Sequence, residues 1–457
     1  MKLLRTIIAA VTAMAAMAAP AFGQQLIRDT EIEVLLREYT DPILVAAELQ
    51  PSDVSLHLVA DPSLNAFVTA GQRIFLHTGI IVQAENPNQL KGVIAHEAAH
   101  IAGAHLARSG DAMRAASVPM YVSMGLGLLA AMAGEGGAAG ALFASSQQFG
   151  ALSWLTYSRS QEASADQAAV NYLNTTGQSS RGLVEFFERF RYQEVMSQAR
   201  RFPYFRSHPL SSDRIAALRV SVESSEFYHV EDTPEEIAQL ERIQAKIYGF
   251  LMAPEYVFWE YPESDQSLPA RYARAVAYFH DARLDQAREE IESLIAEEPD
   301  NPYFQELYGQ MLFESGFAAE SIPYHARSVE LMPTAPLLRI NLAVSMIATE
   351  DESLLDEAET HLRVALDMEP NNPFAWYQLS ILHERNGDTP LAQLAIAEQS
   401  FSMGNRSRAW QFAMRARDQL DQGTTAYFRA AEIVAVTMPT EDELRRARRQ
   451  QRRQQQR

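Results

Sequence analysis

Asn86-Pro87-Asn88-Gln89-Leu90-Lys91-Gly92-Val93-Ile94-Ala95-His96-Glu97-Ala98-Ala99-His100-Ile101 is the stretch on which the reading turns. Asn86 supplies a helix N-cap and Pro87 a first-turn proline, where a missing N–H does no harm. Leu90, Val93, Ile94 and Ile101 then recur at helical spacing, which predicts a helix from about Pro87 to Arg108 with one buried face. His96 and His100 are four residues apart, so both imidazoles are directed to one side. Histidines inside an apolar helix need partners, and a single metal ion can serve both. Glu97 then sits beside the ion, placed to take a proton from zinc-bound water. A surface helix with two solvated histidines is the competing reading, which the surrounding apolar residues weaken.

A tetrahedral catalytic zinc keeps three protein ligands and one open position. The chain has no cysteine, so the third ligand is His, Asp or Glu. Glu162, in Ser160-Gln161-Glu162-Ala163-Ser164-Ala165-Asp166, is the best candidate. Asp166 lies one helical turn further on and can accept the free N–H of a liganding histidine. Spacing alone also allows an ordinary solvated pair of carboxylates. His105 follows His96 by nine residues, about half a turn out of phase on a continuous helix, and reads as structural.

Taken together, the HExxH pentapeptide and the later ExxxD pair resemble the zinc metallopeptidases that include HtpX and the CAAX prenyl proteases. The soluble, BepA-like periplasmic branch, with its C-terminal tetratricopeptide repeats, matches best. The resemblance implies one Zn2+ per chain, held by His96, His100 and Glu162, with Glu97 as general base and Asp166 behind the ligands. Asn65-Ala66-Phe67-Val68-Thr69, Gly71-Gln72 and Arg73-Ile74-Phe75-Leu76-His77 read as a hairpin. In such peptidases the strand beside the active-site helix resembles an edge that an extended substrate joins, which would make Asn65, Ala66 and Phe67 substrate contacts. An ordinary core hairpin is the alternative. His208, in Ser207-His208-Pro209-Leu210, reads by itself as a turn residue. The resemblance implies a regulatory fourth ligand that displaces the water and holds the enzyme latent.

The first 23 residues form a secretory signal: Lys2 and Arg5 at the positive end, an apolar core from Ile7 to Ala19, and small residues at Ala21-Phe22-Gly23. Export to the periplasm follows, and a chain without cysteine folds there without disulfides. The formal net charge is −19, and −21 once Lys2 and Arg5 are removed, which argues against nucleic-acid binding. The arginines from Arg445 to Arg457 read as a solvated, frayed tail. Residues 115–158 carry one charge, Glu135. They read as a soluble flap packed over the cleft and touching the membrane surface. Transmembrane insertion, as in HtpX, is the alternative.

Pro299 and Pro333 are 34 residues apart, as are Pro370 and Gly404, while Pro333 to Pro370 is 37 with an insertion near Thr349-Glu350-Asp351-Glu352. Thirty-four is the tetratricopeptide period. The expected architecture is therefore mostly α. A signal peptide spans 1–23, and a helical zincin-type catalytic domain with a small β-hairpin or sheet spans 24–262. A tetratricopeptide α-solenoid spans 263–436, and a basic tail spans 437–457. The resemblance implies a zinc endopeptidase acting on protein or peptide substrates in quality control and assembly of outer-membrane proteins, meeting the assembly machinery through its repeats. Two rival readings stand beside it. One is mainly a repeat chaperone or scaffold with a normally shut protease site; the other is a membrane-embedded, HtpX-like protease.

Overall fold

A computed structural model describes residues 26–133, 136–196, 208, 210–349 and 351–439. The expected signal peptide and the arginine-rich run lie outside the described residues. Two compact units divide at Ala273/Arg274, inside a helix, some ten residues beyond the boundary expected near Pro262.

In the first unit, strand β1 (Leu26–Ile27) precedes α1 (Thr30–Ala46), whose first turn is capped by the Asp29 side chain accepting from Ile32 N–H. Strands β2 (Ser55–Val59), β3 (Ala66–Thr69) and β4 (Arg73–His77) follow. The sheet order is β1-β2-β4-β3, with β2 and β4 parallel and the other neighbours antiparallel. Strand β3 is thus an edge. The β3–β4 turn needs positive φ at Gly71 (86°) and Gln72 (55°), which glycine adopts freely and glutamine does not. Ala66, Leu58, Ile74 and Leu76 point into the core, while Phe67, Phe75 and His57 stack across the opposite face at ring separations of 5.0 and 4.7 Å.

Helix α2 (Thr78–Gln83) leads to α3 (Pro87–Ala102), capped by Asn86 accepting from Gln89 N–H. Every residue of α3 from Gln89 to His100 is buried. A helix enclosed on all sides must satisfy its polar side chains internally. Lys91 does so with Asp232 (3.2 Å) and Glu236 (2.6 Å); the histidines and Glu97 do so at the site described below. The helix is shorter than the sequence predicts. It ends at Ala102 because Ala104 takes a left-handed conformation (φ 51°, ψ 34°), and a new helix, α4 (His105–Met132), starts immediately.

Residues 115–158, expected as a flap, fall within two long helices. Helix α4 and α5 (Gly136–Thr175) pack along each other, with Ala116, Ser123, Gly127 and Ser146 at the contact. Val118, Tyr121, Val122, Leu126, Leu129 and Met132 face outward and are exposed. Beyond the hairpin, α5 continues into the core at Ala165, Ala169 and Leu173. Helices α6 (Arg181–Met196), α7 (Ser212–Glu223), α8 (Pro234–Leu251) and α9 (Pro254–Glu260) complete the unit.

Helix α10 (Leu268–His280) crosses the division, and α11 (Leu284–Glu297) starts the second unit's run of paired helices. These are α12 (Pro302–Glu314) with α13 (Ala318–Leu331), and α14 (Pro336–Ala348) with α15 (Leu355–Met368). The last pairs are α16 (Pro373–Arg385) with α17 (Thr389–Ser402), and α18 (Arg406–Gln419) with α19 (Thr425–Thr437). The second helices of successive pairs begin at Leu284, Ala318, Leu355 and Thr389, intervals of 34, 37 and 34 residues. Equivalent turns use Gly316 (φ 88°) and Gly387 (φ 73°), whereas the first uses Ala282 (φ 57°).

Helices α3 and α6 meet backbone to backbone. A Cβ on Gly182 would lie 2.4 Å from the Asn88 carbonyl carbon, while the Asn88 side chain accepts from Gly182 N–H (2.6 Å) and donates to Ser179 O (2.5 Å). No side-chain rotation relieves a clash with backbone. Gly182→Val is expected to cost about 1–3 kcal/mol or more and to lower the thermal midpoint by several degrees. An unchanged midpoint in a thermal melt would refute this account of the α3–α6 contact.

Candidate metal centre

Helix α3 contributes His96, Glu97 and His100, and alanines at 95, 98 and 99 leave the neighbouring elements room to approach. Helix α5 contributes Glu162 and Asp166 from successive turns. His208 comes from the segment before α7, whose N-cap Ser211 accepts from Arg214 N–H. His96 and Glu97 are fully enclosed, and His100, Glu162, Asp166 and His208 are each less than a tenth exposed.

Donor atoms of His96, His100, Glu162 and His208 all lie within 4.8 Å of one another. His96 Nε2 is 3.1 Å from His100 Nε2, 3.2 Å from His208 Nδ1 and 3.4 Å from Glu162 Oε2. Glu162 is 3.5 Å from His100 Nε2 and 3.1 Å from His208 Nδ1. A tetrahedron with such edges has its centre about 2 Å from each corner, the bond length zinc makes to imidazole nitrogen and carboxylate oxygen. The donor set, three imidazoles and one carboxylate without sulfur, suits the same ion. A further sign of fit is Glu97: both carboxylate oxygens are buried with no hydrogen-bond partner among the described residues, and Oε1 is 3.5 Å from His208 Nε2.

Electrostatics favour a cation here. Burial would raise Glu162 and Asp166, but hydrogen bonds outweigh it: His208 and His96 hold Glu162 well below the usual carboxylate range, and Arg214 and His96 hold Asp166 down. Burial would lower His96, yet its contacts with Asp166 and Glu162 lift it to about 9. Burial, with His96 and His208 beside it, pushes His100 down to about 2 against the opposing pull of Glu162. Burial raises Glu97.

All the sequence-proposed ligands thus converge, and Asp166 Oδ1 lies 3.0 Å from His96 Nδ1 behind them. Two features escaped the sequence. Arg214 bridges the carboxylates, with Nη2 2.7 Å from Asp166 Oδ1 and Nη1 2.9 Å from Glu162 Oε2. Its signal was present: Arg214 is in phase with Leu218 and Val222 on the buried face of α7, where a cation requires an anion. The second feature is the position of His105, which reads as structural by spacing and is not among the four clustered donors. Its Nδ1 is 2.9 Å from His100 Nδ1, because the break at Ala104 takes it off the helix axis assumed for it. Of the proposed substrate contacts, Ala66 is a buried residue of β3, Phe67 lies on the ring-stacked face, and Asn65 precedes the strand with Nδ2 3.3 Å from His77 Nε2.

Residues 28–222 match the family described as Peptidase family M48. The chain is 25% identical over 391 residues to the beta-barrel assembly-enhancing protease of Escherichia coli K12, covering 82% of this chain and 74% of that one. A Vibrio cholerae serotype O1 protein is 26% identical over 406 residues, covering 86% and 82%. Metalloprotease LoiP of Escherichia coli K12 is 29% identical over 175 residues, covering 37% of this chain and 62% of that one.

If Glu162 supplies a ligand, Glu162→Ala should lose most of its zinc on metal analysis of the purified protein. Asp166→Asn, which leaves the ligands in place, should weaken binding by about 10–100-fold. Full zinc retention by Glu162→Ala would move the third ligand elsewhere.

Proposed function

We propose that this zinc metalloendopeptidase, built on a family M48 domain, acts in the periplasm on outer-membrane β-barrel proteins during their quality control and assembly. The observation that carries the proposal is the four-donor cluster of His96, His100, Glu162 and His208 in the matched domain. Relatives aligned over four fifths of this chain extend the likeness through the paired helices, and both of those described above are named for β-barrel assembly. Export rests on the signal-like residues 1–23.

In this reading His96, His100 and Glu162 hold the ion, which when bound acts as a Lewis acid on a scissile carbonyl and makes water acidic enough to attack near neutral pH. Glu97 takes the proton of the attacking water and hands it to the leaving amine. Burial, by raising Glu97, makes it the stronger base for that transfer. Asp166 fixes the His96 ring through Nδ1, and Arg214 keeps Asp166 and Glu162 ionised in a dry pocket. An extended substrate would add to the β3 edge through main-chain hydrogen bonds, which tolerates many sequences.

His208 acts as the latch. Its Nδ1 sits at the fourth corner of the donor tetrahedron, and its Nε2 reaches toward the base, so one side chain stands where both water and substrate oxygen must go. This placement also supports the second reading, in which the paired helices, as tetratricopeptide repeats, do the work of a chaperone or scaffold while the protease site is shut. The hairpin arm α4 is long and apolar enough to cross a membrane, and only 17% of its most apolar window is buried. That exposure supports contact with a lipid surface.

Glu97→Gln is expected to retain zinc and to lose casein degradation by about 10²–10⁴-fold, the usual worth of a general base. Retained cleavage would exclude Glu97 as the base. Client maturation that persists in Glu97→Gln would favour the scaffold reading. His208→Ala should degrade casein faster than the wild type at matched zinc content; an unchanged rate would remove the latch.

A further inference from the structure

We propose that His105 is a positioning residue of the zinc site, holding His100 in the tautomer that presents Nε2 to the ion. The inference rests on the assignment of His100 as a ligand made above.

Position 105 follows position 100 by five residues, so a continuous helix would place the two side chains about 140° apart. The chain prevents this in two steps. Helix α3 closes with Gly103 N–H bonded to Ala99 O, and Ala104 N–H bonded to Ile101 O (2.9 Å). Ala104 then adopts φ 51°, a left-handed conformation that costs an alanine on the order of 1 kcal/mol. The turn brings the His105 ring back over the end of α3, its centroid 4.9 Å from that of His100 and the planes at 78°. Gly103 makes room. A Cβ there would lie 2.5 Å from His105 Nε2 and 2.8 Å from Cδ2. The φ of Gly103 is an ordinary −71°, so the glycine serves space and not conformation.

The hydrogen bond then has one direction. His100 Nε2 faces the donor cluster, so the neutral ring carries its proton on Nδ1. Nδ1–H must donate to His105 Nδ1 at 2.9 Å, which places the His105 proton on Nε2. Asp166 does the same for His96. Each histidine of α3 is therefore held at Nδ1 by a side chain from beyond the helix, and a strained residue and a space-making glycine support the second of these contacts. A ring present only to fill space would need neither the direct Nδ1–Nδ1 contact nor the left-handed turn that produces it.

The test measures zinc affinity of the full-length mature protein by competition with a chelator, alongside the thermal midpoint of the zinc-free protein. His105→Ala should weaken zinc by about 10–100-fold. His105→Asn, whose amide oxygen can accept from His100 Nδ1–H, should recover most of the loss. Gly103→Ala removes no hydrogen-bonding group but displaces the ring, and should also weaken zinc. Wild-type affinity in His105→Ala overturns the proposal, as does a loss that His105→Asn does not recover or that matches the fall in zinc-free stability. His100→Ala separates the premises. If it loses zinc while His105→Ala does not, only the positioning role fails; if His100→Ala keeps zinc, the ligand assignment fails with it.

Discussion

Everything in the first unit depends on keeping six polar side chains, His96, Glu97, His100, Glu162, Asp166 and His208, together in a space that water scarcely reaches. Burial of so many donors and acceptors is destabilising unless each finds a partner. Arg214 answers for Asp166 and part of Glu162, His105 for the back of His100, and a divalent ion for the four inward-facing donor atoms. Metal binding and folding of this core are for that reason coupled.

The elements around the pocket follow from this demand. Helix α3 is enclosed because it must bring its ligands to the centre, and it can be enclosed because Gly92 and Gly182 let α6 approach its backbone. Helix α5 is long because one chain segment forms the outer arm of the hairpin and then returns Glu162 and Asp166 to the core. Its inner part is rigidified by buried Ala165, Ala169 and Leu173, while the hairpin keeps an exposed apolar face. Phe143, Leu152 and Leu155 are exposed on α5, so one helix carries both an apolar surface and the buried carboxylates Glu162 and Asp166.

His208 differs from the other clustered donors in its local structure. His208 itself lies in a bend, whereas His96, His100 and Glu162 stand on packed helices. This difference in local support is what the proposed latch rests on.

The sequence alone was enough to place the histidine helix, the Glu162–Asp166 pair, the hairpin at 65–77 and the 34-residue interval of the paired helices, because each is a local pattern of spacing. Tertiary structure decided the rest. Where α3 stops depended on a left-handed alanine that no propensity marks; the partners of Arg214 depended on a contact across 48 residues. The role of His105 depended on both kinds of information, a local break and the ring it meets. Periodicity tells which side chains share a face, but a metal site is a convergence of faces, and only packing determines which of them meet.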